Sequence, residues 1–171
     1  MTEIFIATYN TLMCLYPNSI KSIRGLSELG DKSEHKILCF QEIRNINFKR
    51  DLADILKKVL PKLNSSFFLY DKPSRDDLGL ATFSDLKILI EQKIPLPKAP
   101  KEYYNPQSYL LKEMPQCGAL ALTFSLGKKR LRVVNVHMDV GGGMKHKFKQ
   151  LKHTVENIAG KADYEIYIGD F

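Results

Sequence analysis

Short apolar runs of strand length alternate along this chain with segments whose apolar residues recur every three or four positions. The first pattern reads as buried strand and the second as amphipathic helix. Residues 4–9, 37–40, 67–70, 80–83, 86–90, 119–124, 131–137 and 165–168 are the strand candidates. Helical spacing covers residues 18–29, with a Gly30-Asp31 stop, and 47–63, where Pro61 lies near the end. A third helix follows Gly141-Gly142-Gly143 and carries Phe148, Leu151, Val155 and Ile158. The alternation predicts an α/β fold. Gly127-Lys128-Lys129, set between two strand candidates, predicts a hairpin, so the sheets must be mixed. Residues 94–115 hold Pro95, Pro97, Pro100, Pro106 and Pro115 and read as a long loop. With 171 residues the chain is expected to form one domain, 1–171, whose core needs no covalent staples.

Charge narrows the partners. Lys and Arg number 26 against 19 Asp and Glu, a net +7 spread along the chain. That balance favours polyanions: nucleic acid, phosphorylated small molecules or an anionic membrane surface. The three cysteines, Cys14, Cys39 and Cys117, include no C-x-x-C pair, which argues against a zinc ribbon or a disulfide framework. Cys39 lies within an apolar run and reads as a small core residue. No apolar stretch approaches the roughly 20 residues of a membrane span, and no secretory leader is visible, so a cytoplasmic setting is expected.

Four polar residues end strand candidates. Asn10 closes Ala7-Thr8-Tyr9-Asn10 and Glu42 closes Cys39-Phe40-Gln41-Glu42. His137 closes Val133-Val134-Asn135-Val136-His137, and Asp170 closes Ile166-Tyr167-Ile168-Gly169-Asp170. In α/β folds, strand ends are where loops gather functional groups around a crevice. Taken alone, Asn10 and Asp170 also read as turn formers or caps, His137 as a hydrogen-bonded structural histidine, and Glu42 as an ion-pair partner of Arg44. Together they form a coherent set. A carboxylate and an amide oxygen are hard ligands suited to Mg²⁺, which keeps waters and takes phosphate oxygens as further ligands. A histidine beside them can bind a phosphate oxygen or move a proton, and a second carboxylate can orient a water. This is equipment for hydrolytic phosphoryl transfer. No Gly-x-x-x-x-Gly-Lys loop accompanies it.

Thr8-Tyr9-Asn10, Phe40-Gln41-Glu42-Ile43-Arg44, Gly79-Leu80-Ala81-Thr82-Phe83-Ser84, Asn135-Val136-His137-Met138-Asp139 and Ile168-Gly169-Asp170-Phe171 occur in that order. The set resembles the deoxyribonuclease-like members of the endonuclease/exonuclease/phosphatase superfamily. That superfamily also includes abasic-site endonucleases, inositol-polyphosphate phosphatases and neutral sphingomyelinases. The resemblance implies a four-layer α/β/β/α sandwich with mixed β-sheets. It implies metal ligation by Glu42 with Asn10 and a phosphate contact from His137. It further implies a water-orienting role for Asp170, and, more loosely, an Arg44 near the substrate. Mg²⁺ is the implied cofactor, with Mn²⁺ as its substitute.

The family motif continues with an asparagine after Phe171, and a later Asp-His pair completes the family's site. Neither is in this sequence, so the chain is expected to be the N-terminal part of a C-terminally truncated, incomplete sandwich. The expected activity is Mg²⁺-dependent hydrolysis of a phosphodiester, nuclease-type, with nucleic acid as the favoured partner. The alternatives are a phosphatase, a sphingomyelinase-like phosphodiesterase or an inactive polyanion-binding remnant. Cys117-Gly118-Ala119-Leu120 resembles a Lys-Gly-x-Leu stretch of the sphingomyelinase-like branch, with Cys117 in the lysine's place. Lys145, Lys147, Lys149 and Lys152 read as a solvated helix face or as a basic rim for a polyanion. Tyr103, Tyr104 and Tyr109 read as packing residues or as stacking partners for a substrate.

Overall fold

A computed structural model describes residues 2–11, 18–43, 52–69, 79–100, 117–139 and 143–171. Arg44, Cys14, the Asp76-Asp77 pair that reads as a turn before the Gly79 strand, the Gly141-Gly142 pair and the three tyrosines of the proline-rich segment lie outside the described residues.

β1 (Ile4–Asn10) and β2 (His35–Gln41) run parallel, as the intervening helix α1 (Asn18–Gly30) allows. β4 (Gly79–Ser84) joins β2 antiparallel, and β3 (Asn64–Leu69) joins β4 antiparallel, giving the order β1-β2-β4-β3. The second sheet has the order β5-β6-β7-β8, built from Ile88–Pro95, Gly118–Leu126, Lys129–His137 and Tyr164–Asp170. Its β5-β6 and β6-β7 pairs are antiparallel, and β7-β8 is parallel across α3 (Gly143–Asn157). The predicted hairpin is the β6-β7 turn, where Leu126 faces Lys129 and Gly127 takes φ 59°.

Three apolar clusters separate four layers. Ile37, Cys39, Leu80, Leu120, Leu122, Phe124 and Val133 fill the space between the sheets. On the outer face of the first sheet, Leu38, Phe40, Ala81 and Phe83 pack under Ile23 of α1 and Leu56 of α2 (Leu52–Val59). Phe83 meets Phe40 and Phe67 edge-on at 5.9 and 5.5 Å, so truncating it to alanine would cost about 3–5 kcal/mol. On the outer face of the second sheet, Ala119, Ala121, Val134 and Val136 pack under Leu151 and Ile158. The result is an α/β/β/α sandwich of two mixed four-stranded sheets, as the motifs implied.

Element bounds differ from the sequence pattern in three places. β5 runs on to Pro95, five residues past the expected end, and takes the start of the proline-rich segment into the sheet. It is an edge strand, where a proline's missing N–H costs no ladder bond. β3 begins at Asn64, because the polar stretch Asn64-Ser65-Ser66 pairs with Ser84, Phe83 and Thr82 of β4. The helix read over 47–63 ends at Val59, ahead of Pro61. Cys39 is buried as expected, and burial pushes its thiol up to about 12.

Candidate active site

Strand alternation places most of the site. In β1, Ile4 and Ile6 pack between the sheets, so Asn10 continues that inner face. In β7, Leu131 and Val133 do the same, which aims Asn135 and His137 inward. Ile168 puts Asp170 on the inner face of β8. The parallel pairs fix the level: Asn10 lies opposite Gln41, and His137 lies opposite Asp170.

Glu42 breaks the alternation. Leu38 and Phe40 face the helices, so a regular strand would send Glu42 to the same side. Its backbone instead takes φ 55°, a left-handed value rare for a non-glycine residue. Thr11 supports this turn. The Thr11 hydroxyl lies 2.9 Å from the Glu42 carbonyl and 3.0 Å from that of Gln41, and its backbone N–H donates to Gln41. Ile43 N–H then bonds the Gly79 carbonyl of β4. The turn brings the Glu42 carboxylate to the inner face.

The four groups meet there. Asn10 Nδ2 donates to Glu42 Oε1 at 3.0 Å and to Asp170 Oδ2 at 2.8 Å. His137 Nε2 stands 3.7 Å from Glu42 Oε1. One ligand atom from each of Glu42, His137 and Asp170 falls within 4.8 Å of the others. Glu42 Oε2 and His137 Nδ1 are buried with no hydrogen-bond partner among the described residues. A buried carboxylate oxygen left unpaired is costly, and a cation satisfies it. Burial pulls the His137 imidazole below its ordinary value, against the opposing pull of Glu42, Asp170 and Asp139. At neutral pH the ring is therefore neutral, with one nitrogen able to donate and the other to accept. Cys117 lies near the same charges. Burial, then Asp139, Asp170 and Glu42, push its thiol up to about 12, so it is no nucleophile at neutral pH.

Neighbouring contacts hold the strand ends. Gly169 takes φ 143°, and a side chain there would meet the Val136 carbonyl oxygen at 2.0 Å, so β8 approaches β7 more closely than any other residue allows. Met138 N–H donates to the Asp170 carbonyl at 2.9 Å. The buried Arg132 bonds Glu165 of β8 and the carbonyls of Ala159 and Gly160, tying the segment after α3 to the sheet. Beneath the site, Gln41 Nε2 lies 2.9 Å from Thr8 Oγ1 and donates to Asn135 Oδ1 at 2.6 Å. Sequence reasoning assigned Gln41, Asn135 and Thr11 no role. For Gln41 and Asn135 the available signal was an amide next to the apolar residues of a strand.

No family model and no curated protein sequence matches the chain. Solved structures do. Zebrafish (D. rerio) TDP2 complexed with a single-strand DNA product superposes at TM-score 0.64 with 17% identity, over 99% of this chain and 61% of that one. An endonuclease/exonuclease/phosphatase family protein from Leptotrichia buccalis gives 0.66 and 16%, over 100% and 68%. Sphingomyelinase C from Streptomyces griseocarneus gives 0.65 and 18%, over 99% and 64%. The fold is that of the endonuclease/exonuclease/phosphatase proteins. The chain spans 61% to 68% of the length of these three. Among the described residues, no helix is long and apolar enough to cross a membrane.

Proposed function

We propose that this chain carries the site of a divalent-metal-dependent phosphodiester hydrolase of the nuclease type. The observation that carries the reading is the convergence of Glu42, His137 and Asp170, with a Glu42 oxygen buried and unpaired. The Glu42 carboxylate and the Asn10 amide are hard oxygen donors that suit Mg²⁺ or Mn²⁺, with His137 and Asp170 beside them for phosphate and water. Glu42 would be the principal ligand, with Asn10 beside it. Bound there, the ion supplies positive charge against a substrate phosphate.

The chain's own groups divide the remaining work. Asn10 Nδ2 holds the Asp170 carboxylate in place, leaving its exposed side to accept a hydrogen bond from a water and aim it at phosphorus. His137 donates to a non-bridging phosphate oxygen, where negative charge gathers during attack. A preorganised donor at such a position contributes about 3–4 kcal/mol. Arg44 is proposed as a substrate contact. The net charge of +7 and the zebrafish TDP2–DNA likeness favour nucleic acid as substrate.

A second reading, a phospholipid phosphodiesterase, is favoured by one feature. A groove is lined by Met138, Met144, Lys147, Phe148, Leu151 and Phe171; Met138 and Phe171 directly follow His137 and Asp170 in the chain, and Phe148 is 65% exposed. Sphingomyelinase C has the same fold.

Calorimetric titration with Mn²⁺ tests the site directly. Wild-type protein is expected to bind one ion, and Glu42→Gln to bind it at least about tenfold more weakly with its melting curve retained. Equal affinities would remove Glu42 from the site. Hydrolysis of single-stranded DNA against sphingomyelin vesicles, each with Mg²⁺ and with chelator, separates the two substrate classes.

A further inference from the structure

We infer that Asn135 is a positioning residue: its side-chain amide locks the two sheets together at the register that brings Glu42 to His137 and Asp170. The inference rests on the proposed reading of that site.

Asn135 is fully buried in β7, flanked by the apolar Val133, Val134 and Val136. It projects from the second sheet and makes its polar contacts with the first. Its Nδ2 donates to the carbonyls of Phe40 and Ala81, each at 3.1 Å, with Thr82 Oγ1 at 3.4 Å. Phe40 and Ala81 are cross-strand partners in β2 and β4, so one amide grips two strands of the opposite sheet. Its Oδ1 accepts from Gln41 Nε2 at 2.6 Å, and Gln41 is tied in turn to Thr8 of β1. Three strands of the first sheet are thus fastened to β7 at one point.

The location gives the clamp its consequence. Gln41 directly precedes Glu42, Asn135 lies two residues before His137 on the same face, and Thr8 lies two before Asn10. The clamp therefore sits one layer beneath the site. Away from the site, the described residues between the sheets meet mainly through aliphatic and aromatic packing, which is non-directional and tolerates small shifts along the sheet. Directional bonds do not tolerate them. An Asn at this position supplies the two donors and one acceptor that two carbonyls and one amide require. Neither Asp nor Leu can do so.

The test uses Asn135→Leu, which keeps the branching and the number of heavy atoms, and the double variant Gln41→Met/Asn135→Leu, which also removes the Gln41 amide that has lost its bond to Asn135. Removing both partners of a buried polar pair restores much of the stability lost by removing one. Crystal structures of wild type and variants report the Glu42 Oε1–His137 Nε2 separation, which is 3.7 Å here. Calorimetry with Mn²⁺ reports the site. The expected result is a separation widened by about 1 Å and a Mn²⁺ affinity lowered about tenfold or more, in the double variant as well, although its melting temperature recovers toward wild type. If the single variant does not fold, the double variant carries the test. An unchanged separation, or recovery of Mn²⁺ affinity together with melting temperature, overturns the inference. Wild-type protein that binds no Mn²⁺ defeats the proposed function instead, and the crystallographic separation then decides the inference alone.

Discussion

Asn10 and Asp170 stand 160 positions apart in the chain and 2.8 Å apart in space, on the edge strands β1 and β8 of two different sheets. The same Asn10 amide bonds Glu42. One neutral donor thus sits between two carboxylates and relieves their repulsion. In Asn10→Asp the donor becomes a third negative charge. The variant should lose about 1–3 kcal/mol of stability at neutral pH in chelator, read by urea denaturation, and regain part of it in Mn²⁺. Wild-type stability in chelator would show that the bridge contributes nothing.

Thr11 holds the left-handed turn at Glu42 through its hydroxyl. Thr11→Val keeps the shape and removes the donor. Stability should fall by about 1 kcal/mol, and Mn²⁺ should bind more weakly because the carboxylate is no longer fixed. A variant with unaltered Mn²⁺ affinity would show that the turn is held by the strand ends alone.

Gly169 admits no side chain, since a Cβ would lie 2.0 Å from the Val136 carbonyl oxygen. Gly169→Ala must push β8 away from β7 next to Asp170. A loss of about 2–5 kcal/mol is expected, from the clash and from the strained φ together. Thermal melting measures it, and a change under about 1 kcal/mol would mean that β8 moves aside freely.

Asp163 fixes where β8 enters the sheet. Its carboxylate accepts the Arg130 N–H at 2.8 Å and faces Lys129 Nζ at 3.2 Å, and its own N–H donates to the Arg130 carbonyl. The Arg130 N–H, then Lys129, holds the acid below its ordinary value of 3.8. The unfolded state therefore takes up this proton first as pH falls. The stabilisation is present above the ordinary carboxylate range and disappears as pH drops through the depressed value. Asp163→Asn should flatten that part of the stability–pH curve, followed by denaturant unfolding between pH 6 and pH 2, values chosen to span the carboxylate range of about 3–5. Parallel curves for wild type and variant would rule this contribution out.

The sequence by itself determined the local order: which stretches become strand or helix, the mixed character of the sheets, and the polar residues that end β1, β2, β7 and β8. These follow from periodicity and turn chemistry, which act over a few residues. For Asn10, His137 and Asp170, alternation even specifies the face, because each continues a run whose inner positions are apolar. Glu42 was different. Its alternation points to the helices, and only a left-handed backbone held by Thr11, together with the contact of Ile43 with Gly79, turns it inward. No residue pattern announces a left-handed glutamate. The Asn135–Gln41 clamp was equally hidden, because a buried amide in a strand declares its partners only once another sheet lies across it. Pro95 looked like a loop residue until the sheet order made β5 an edge. Tertiary structure decided these points because each depends on a contact between segments tens of residues apart, whereas hydrophobic period is a property of the segment alone.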